Sequence, residues 1–163
     1  MTTPEIVNHM LCSFVGTVSF AIIYNVPKKY YFACGITGMA GWLTYLFISS
    51  QKYMSASVAS FFGALVVVLI SRILTVYMKC PITVFLISGI LPLVPGAGVY
   101  YTAYYIVTNQ LTQASLKGIE SLKIAFAIVM GIVVVVSIPR ELFHLVFCRR
   151  KYRKSDEKIE APK

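Results

Sequence analysis

Side chains able to do covalent or proton chemistry are scarce in this 163-residue chain, which holds six acids, two histidines and four cysteines. Glu5, Glu120 and Glu141 fall at the predicted ends of apolar segments, and the other three acids lie in the C-terminal tail. Charges inside a bilayer are expensive and usually functional, so the lack of an acid within any apolar run disfavours an acidic proton relay. His9, beside Asn8, comes early in the first apolar segment, and His144 near the far end of the last. Neither has a partner at metal-ligand spacing, and a lone histidine is more often a hydrogen-bonded structural residue than a proton switch. Cys12, Cys34, Cys80 and Cys148 show no CxxC spacing. They read as small apolar residues rather than metal ligands or structural disulfides. With no Ser–His, Cys–His or paired-acid constellation, the chain is not expected to be an enzyme or to carry a cofactor or metal.

The residues that could do something else lie between Leu86 and Gly98, where two prolines and three glycines interrupt a long apolar stretch. Proline removes a backbone donor and blocks the preceding turn, and glycine admits dihedrals that other residues resist. The Pro92-x-x-Pro95-Gly96-x-Gly98 spacing removes several consecutive helical bonds, more than a simple kink needs. Freed backbone groups are tolerated at membrane depth where they are buried in protein or line a watered cavity. Discontinuous helices of this kind build the binding sites of transporters. Pro92, Pro95, Gly96 and Gly98 are therefore candidate pathway residues. Tyr100 and Thr102, just past the break, either line the same route or belong with Tyr104 and Tyr105 to an interfacial aromatic belt. Arg72 reads either as an interfacial anchor or as a counter-ion for an anionic or zwitterionic substrate.

Elements that could position these residues follow from composition. Hydrophobic residues make up 58% of the chain and charged residues only 13%, about half the charged share of a soluble domain. The apolar segments predict five spans: about 6–24, 30–49, 55–77, 81–107 (broken) and 122–138, the last reaching Cys148 if Pro139 only kinks it. Pro27 and Pro81 punctuate span boundaries. Gly35, Gly38 and Gly41, spaced by three, would let the second span pack closely on a neighbour. The expected fold is all-α: a polytopic integral membrane protein of about five transmembrane helices with a Pro/Gly-broken fourth. The transmembrane domain covers residues 1–148, and a basic cytoplasmic tail covers 149–163. The first apolar segment follows Glu5 rather than a basic stretch and shows no small-residue cleavage site, unlike a secretory signal peptide.

The net charge of +9 does not point to nucleic acid, because seven of the fifteen Lys and Arg residues follow Cys148. Such a cluster beyond a span anchors on anionic lipid at the cytoplasmic face. With the N-terminus outside, eleven basic residues fall inside against three outside, setting Arg140 apart. That is the asymmetry expected of a five-span chain. A four-span arrangement with a re-entrant loop weakens it. An odd span count with no visible internal repeat is what one half of an inverted-repeat transporter would have, the other half coming from a second chain.

Several of these residues occur in a familiar order: Asn25-Val-Pro27, Cys34-Gly35, Ser71-Arg72, Pro81, and Ile90-Leu-Pro-Leu-Val-Pro-Gly96 followed by Tyr100. Together they resemble the small subunit of the threonine/serine exporter family, over about residues 6–138. The resemblance implies a split transporter acting with a larger polytopic membrane subunit in the bacterial plasma membrane. It implies export of threonine and serine, or of a dicarboxylate such as succinate. The expectation is that the broken helix presents backbone groups at mid-membrane, with Tyr100, Thr102 and Arg72 along the route. The competing reading is a non-transporting assembly or regulatory subunit whose broken helix docks a partner.

Overall fold

The structure, a computed structural model, describes residues 3–51 and 54–138. The basic tail, Pro139, Arg140, His144 and Cys148 lie outside the described residues. Six α-helices follow in order: α1 (Thr3–Ile23), α2 (Tyr31–Ser49), α3 (Ala56–Met78), α4 (Thr83–Ile90), α5 (Gly96–Val107) and α6 (Leu111–Val136). No strand occurs among the described residues. Four helices are long and apolar enough to cross a membrane, and the α4–α5 pair would be a fifth if it forms one span, bent by 51°. The protein is an all-α, multi-pass membrane protein.

Helix ends are set by local chemistry. Asn25 adopts a left-handed φ of 55°, with its N–H donating to Ile22 and the Val26 N–H to Ala21. This paired bonding closes α1 and satisfies its terminal carbonyls, and asparagine tolerates the conformation better than most residues. Pro27 then opens a 3₁₀ turn over Lys28–Tyr30 that leads into α2. Asn109 repeats the device after α5 at φ 61°, with N–H bonds from Asn109 to Ile106 and from Gln110 to Tyr105. At the start of α3, the Ser55 hydroxyl accepts from the Val58 N–H.

Packing runs through small residues, as expected where no hydrophobic force separates protein from lipid. α2 packs on α1, α3 and α4, while α3 packs on α2, α4 and α6. Gly35 and Gly38 face Phe14 and Thr17 of α1, and Gly41 faces Val67 of α3. The Ser13 hydroxyl reaches across to the Gly38 carbonyl at 3.3 Å. Buried hydroxyls elsewhere bond within their own helices, as Thr37 does to the Ala33 carbonyl and Ser71 to the Val67 carbonyl. At the α2–α4 end, Tyr30 meets Phe85 edge-on at 5.7 Å. Large apolar side chains mostly face outward, among them Phe32, Phe47, Phe126 and Met130.

α6 begins eleven residues earlier than hydropathy alone predicts. Thr112, Gln113, Ser115, Lys117 and Glu120 dilute the apolar signal of its first three turns, but α5 packs along them and holds the helix. At 26 residues α6 is ~39 Å long, beyond a ~30 Å hydrocarbon core. Its N-terminal turns and α5 form a hairpin, and no α5 side chain is buried.

Candidate functional site

The break between α4 and α5 is compact rather than loose. α4 tightens into a 3₁₀ turn over Leu91–Leu93, with Pro92 in its first positions. Pro92 offers no N–H to the Ser88 carbonyl, and Pro95 none to Leu91, whose carbonyl accepts from the Val94 N–H at 3.2 Å instead. Val94 is extended (φ −62°, ψ 131°), as a residue before proline prefers. Pro95 (φ −75°, ψ 58°) then centres an inverse γ-turn, closed by a 2.7 Å bond from the Gly96 N–H to the Val94 carbonyl. The Val99 N–H reaches the Pro95 carbonyl at 3.1 Å. No side chain caps the α5 N-terminus.

The glycines of the break serve space rather than dihedral freedom, since no described glycine has a positive φ. At Gly98 an added Cβ would strike the Ser121 hydroxyl of α6, while Gly96 has open space around it. On the buried side, Leu93 is wedged between Gly41 of α2 and Gly63 of α3. Gly89 approaches Thr37, whose methyl would lie 2.8 Å from an added Cβ. Four glycines thus seat the broken helix against α2, α3 and α6.

A cavity of about 380 Å³ opens on the other side of the break, at the lower end of the usual ~300–1,000 Å³ for small-molecule sites. Pro92 through Gly98 form one wall, Trp42 and Tyr45 of α2 a second, Ser60 of α3 a third, and Lys117, Glu120 and Ser121 of α6 the fourth. Trp42 and Tyr45 stack with ring centroids 5.2 Å apart, and His9 of α1 lies 6.4 Å behind Trp42. The Ser60 and Ser121 hydroxyls donate to carbonyls one turn back, Ala56 and Lys117. Lys117 and Glu120 form an ion pair at 2.9 Å, each side chain about half exposed. The wall therefore offers one positive group, one negative group, hydroxyl oxygens and a stacked aromatic pair.

Sequence reasoning singled out seven pathway candidates, and the structure separates them. Pro92, Pro95, Gly96 and Gly98 come together at the cavity. Tyr100 points outward at 64% exposure and rests edge-on against Tyr101, which does line the cavity. Thr102 bonds back to the Gly98 carbonyl and packs its methyl toward Gly118 of α6. Arg72 is buried at the opposite end of α6, donating to the Ile138 carbonyl and, at 2.7 Å, to the Val136 carbonyl. It caps a helix C-terminus, where a cation is favoured. Pro81 is exposed just before α4, where its carbonyl accepts from the Val84 N–H.

Gly98 sits level with Ser121, fifteen residues before Val136, or ~22 Å along α6 from its C-terminal end. Sequence reasoning missed Trp42, Tyr45, Ser60, Lys117, Glu120 and Ser121 as wall residues. The serines carried a usable signal, since hydroxyls facing small residues mark helix contacts in membranes. No group of acids, histidines and cysteines that could hold a metal occurs among the described residues.

Comparison with known proteins adds one finding. No curated protein and no solved structure matches the chain. The family model described as threonine/serine exporter, ThrE, matches residues 9–138, from early α1 to the end of the described bundle. That stretch takes in every wall of the cavity, and the chain belongs to the threonine/serine exporter family.

Proposed function

We propose that this chain is one subunit of a secondary transporter that exports small polar metabolites, threonine and serine or a dicarboxylate such as succinate. It acts with a larger polytopic membrane subunit in a bacterial plasma membrane, its N-terminus outside and C-terminus cytoplasmic, without covalent chemistry. The observation that supports this most is the cavity at the broken helix, where polar groups converge from four elements of an otherwise apolar bundle. Alternating access would come from movement of this half against its partner. The test is efflux from cells that express both chains after loading with threonine, serine or succinate. Faster loss of at least one substrate is expected, and unchanged retention of all three overturns the reading.

The exposed faces of α5 favour a second reading, a docking or regulatory subunit, since an unburied helix in a bundle is available to a partner. Substituting Pro92, Pro95 and Gly96 distinguishes the two. Lost transport with an intact complex supports the pathway, and lost assembly supports docking.

A further inference from the structure

Lys117 and Glu120 stand three residues apart on α6, pair with each other and line the cavity. Exposed ion pairs at this spacing contribute little to helix stability. Their position calls for another reason. Among the described residues, every other one lining the cavity is uncharged, so this pair is the charge that those walls offer. The stacked rings of Trp42 and Tyr45 line the same cavity.

We infer that Lys117 and Glu120 read the charge of the transported molecule and select a zwitterionic α-amino acid over a dicarboxylate. This rests on the cavity being the substrate site, as proposed above. A free amino acid carries a carboxylate and an ammonium on the same carbon. Its carboxylate can take Lys117 while its ammonium takes Glu120, exchanging one ion pair for two and leaving no charge unmatched. A dicarboxylate brings two negative charges to a wall with one cation and one anion, so its second carboxylate faces Glu120 unpaired. An uncharged metabolite can replace neither partner of the pair and so gains no ion pair from it. The pair therefore discriminates partly by repulsion, which is how specificity is commonly built.

The chain carries its own reporter, since Trp42 is its single tryptophan and lines the cavity. The experiment follows Trp42 emission of the full chain, assembled in nanodiscs with a larger subunit whose own tryptophans are changed to phenylalanine, during titration with four probes. These are threonine, threonine methyl ester (ammonium only), N-acetylthreonine (carboxylate only) and succinate. Threonine should bind at least about tenfold tighter than the other three, the scale of one charge-assisted hydrogen bond. Lys117→Gln should weaken threonine about tenfold and improve the methyl ester, whose ammonium no longer competes with Lys117 for Glu120. Glu120→Gln should weaken threonine likewise and improve both N-acetylthreonine and succinate, which no longer meet Glu120. Lys117→Arg and Glu120→Asp keep the charges and should retain threonine binding, which separates charge reading from misfolding.

Equal losses for all four probes, or an unaltered threonine affinity in both Gln variants, overturn the assignment. So does tighter binding of succinate than threonine by the unaltered chain, although the cavity then stands as a substrate site. If none of the four probes changes Trp42 emission, the cavity reading itself falls.

Discussion

Gly96 and Gly98 are two residues apart in the break, yet their surroundings differ. Gly98 touches the Ser121 hydroxyl of α6, and Gly96 borders open space. Gly98→Ala should destabilise the bundle by ~1–3 kcal/mol, the usual cost of overpacking. Gly96→Ala should be neutral or stabilise by ~0.4–1 kcal/mol through the unfolded chain. Thermal unfolding of the detergent-solubilised variants checks the pair, and equal effects would contradict the placement. Both positions were legible as unusual from their spacing to Pro92 and Pro95, but which of them abuts α6 was not. That distinction depends on Ser121, twenty-three residues further on, and no local pattern carries it.

Among the elements, α6 shows where sequence reasoning stops. Its apolar second half, with Ile128 and Val135 buried against the bundle, is plain from hydropathy. Its first three turns are polar and are held as helix by α5, so their structure is tertiary in origin. The far end of α6 is held by Arg72 from α3, whose guanidinium reaches the Val136 and Ile138 carbonyls together. Arginine offers a planar fork of donors that lysine lacks. Arg72→Lys should therefore cost ~1–3 kcal/mol by leaving a helix-end carbonyl poorly satisfied. A lowered Tm with unchanged threonine-induced Trp42 emission is the expected result. Loss of that emission change at an unchanged Tm would instead give Arg72 a direct hand in binding.

For the molecule as a whole, the span pattern and the broken helix were readable because twenty-residue apolar runs and paired prolines are local signals. The cavity was not, since its walls come from residues as distant as Trp42 and Ser121. Orientation can be checked with Cys80, a free thiol in the loop between α3 and α4, which charge counting puts inside. A variant with Cys12, Cys34 and Cys148 changed to serine isolates it. A membrane-impermeant maleimide should label it in inside-out vesicles and not in intact cells. Burial pushes the Cys80 thiol above its ordinary pKa, against the opposing Tyr30 hydrogen bond and Lys29 charge. Less thiolate is then present at neutral pH, so labelling should be slow there and accelerate as pH rises.

The small-residue seams between helices carry a consequence for how this chain tolerates change. In a water-soluble domain, saturation mutagenesis finds a permissive exterior of polar residues around an intolerant interior of large ones. Here the contact surfaces are glycine and alanine, at Gly35, Gly38, Gly41, Gly63, Ala64 and Gly131, while Phe32, Phe47, Phe126 and Met130 face outward. A scan should show the reverse map of sizes. Adding a single methyl at the seams would be among the most damaging changes, and exchanging one bulky outward side chain for another would pass almost unnoticed.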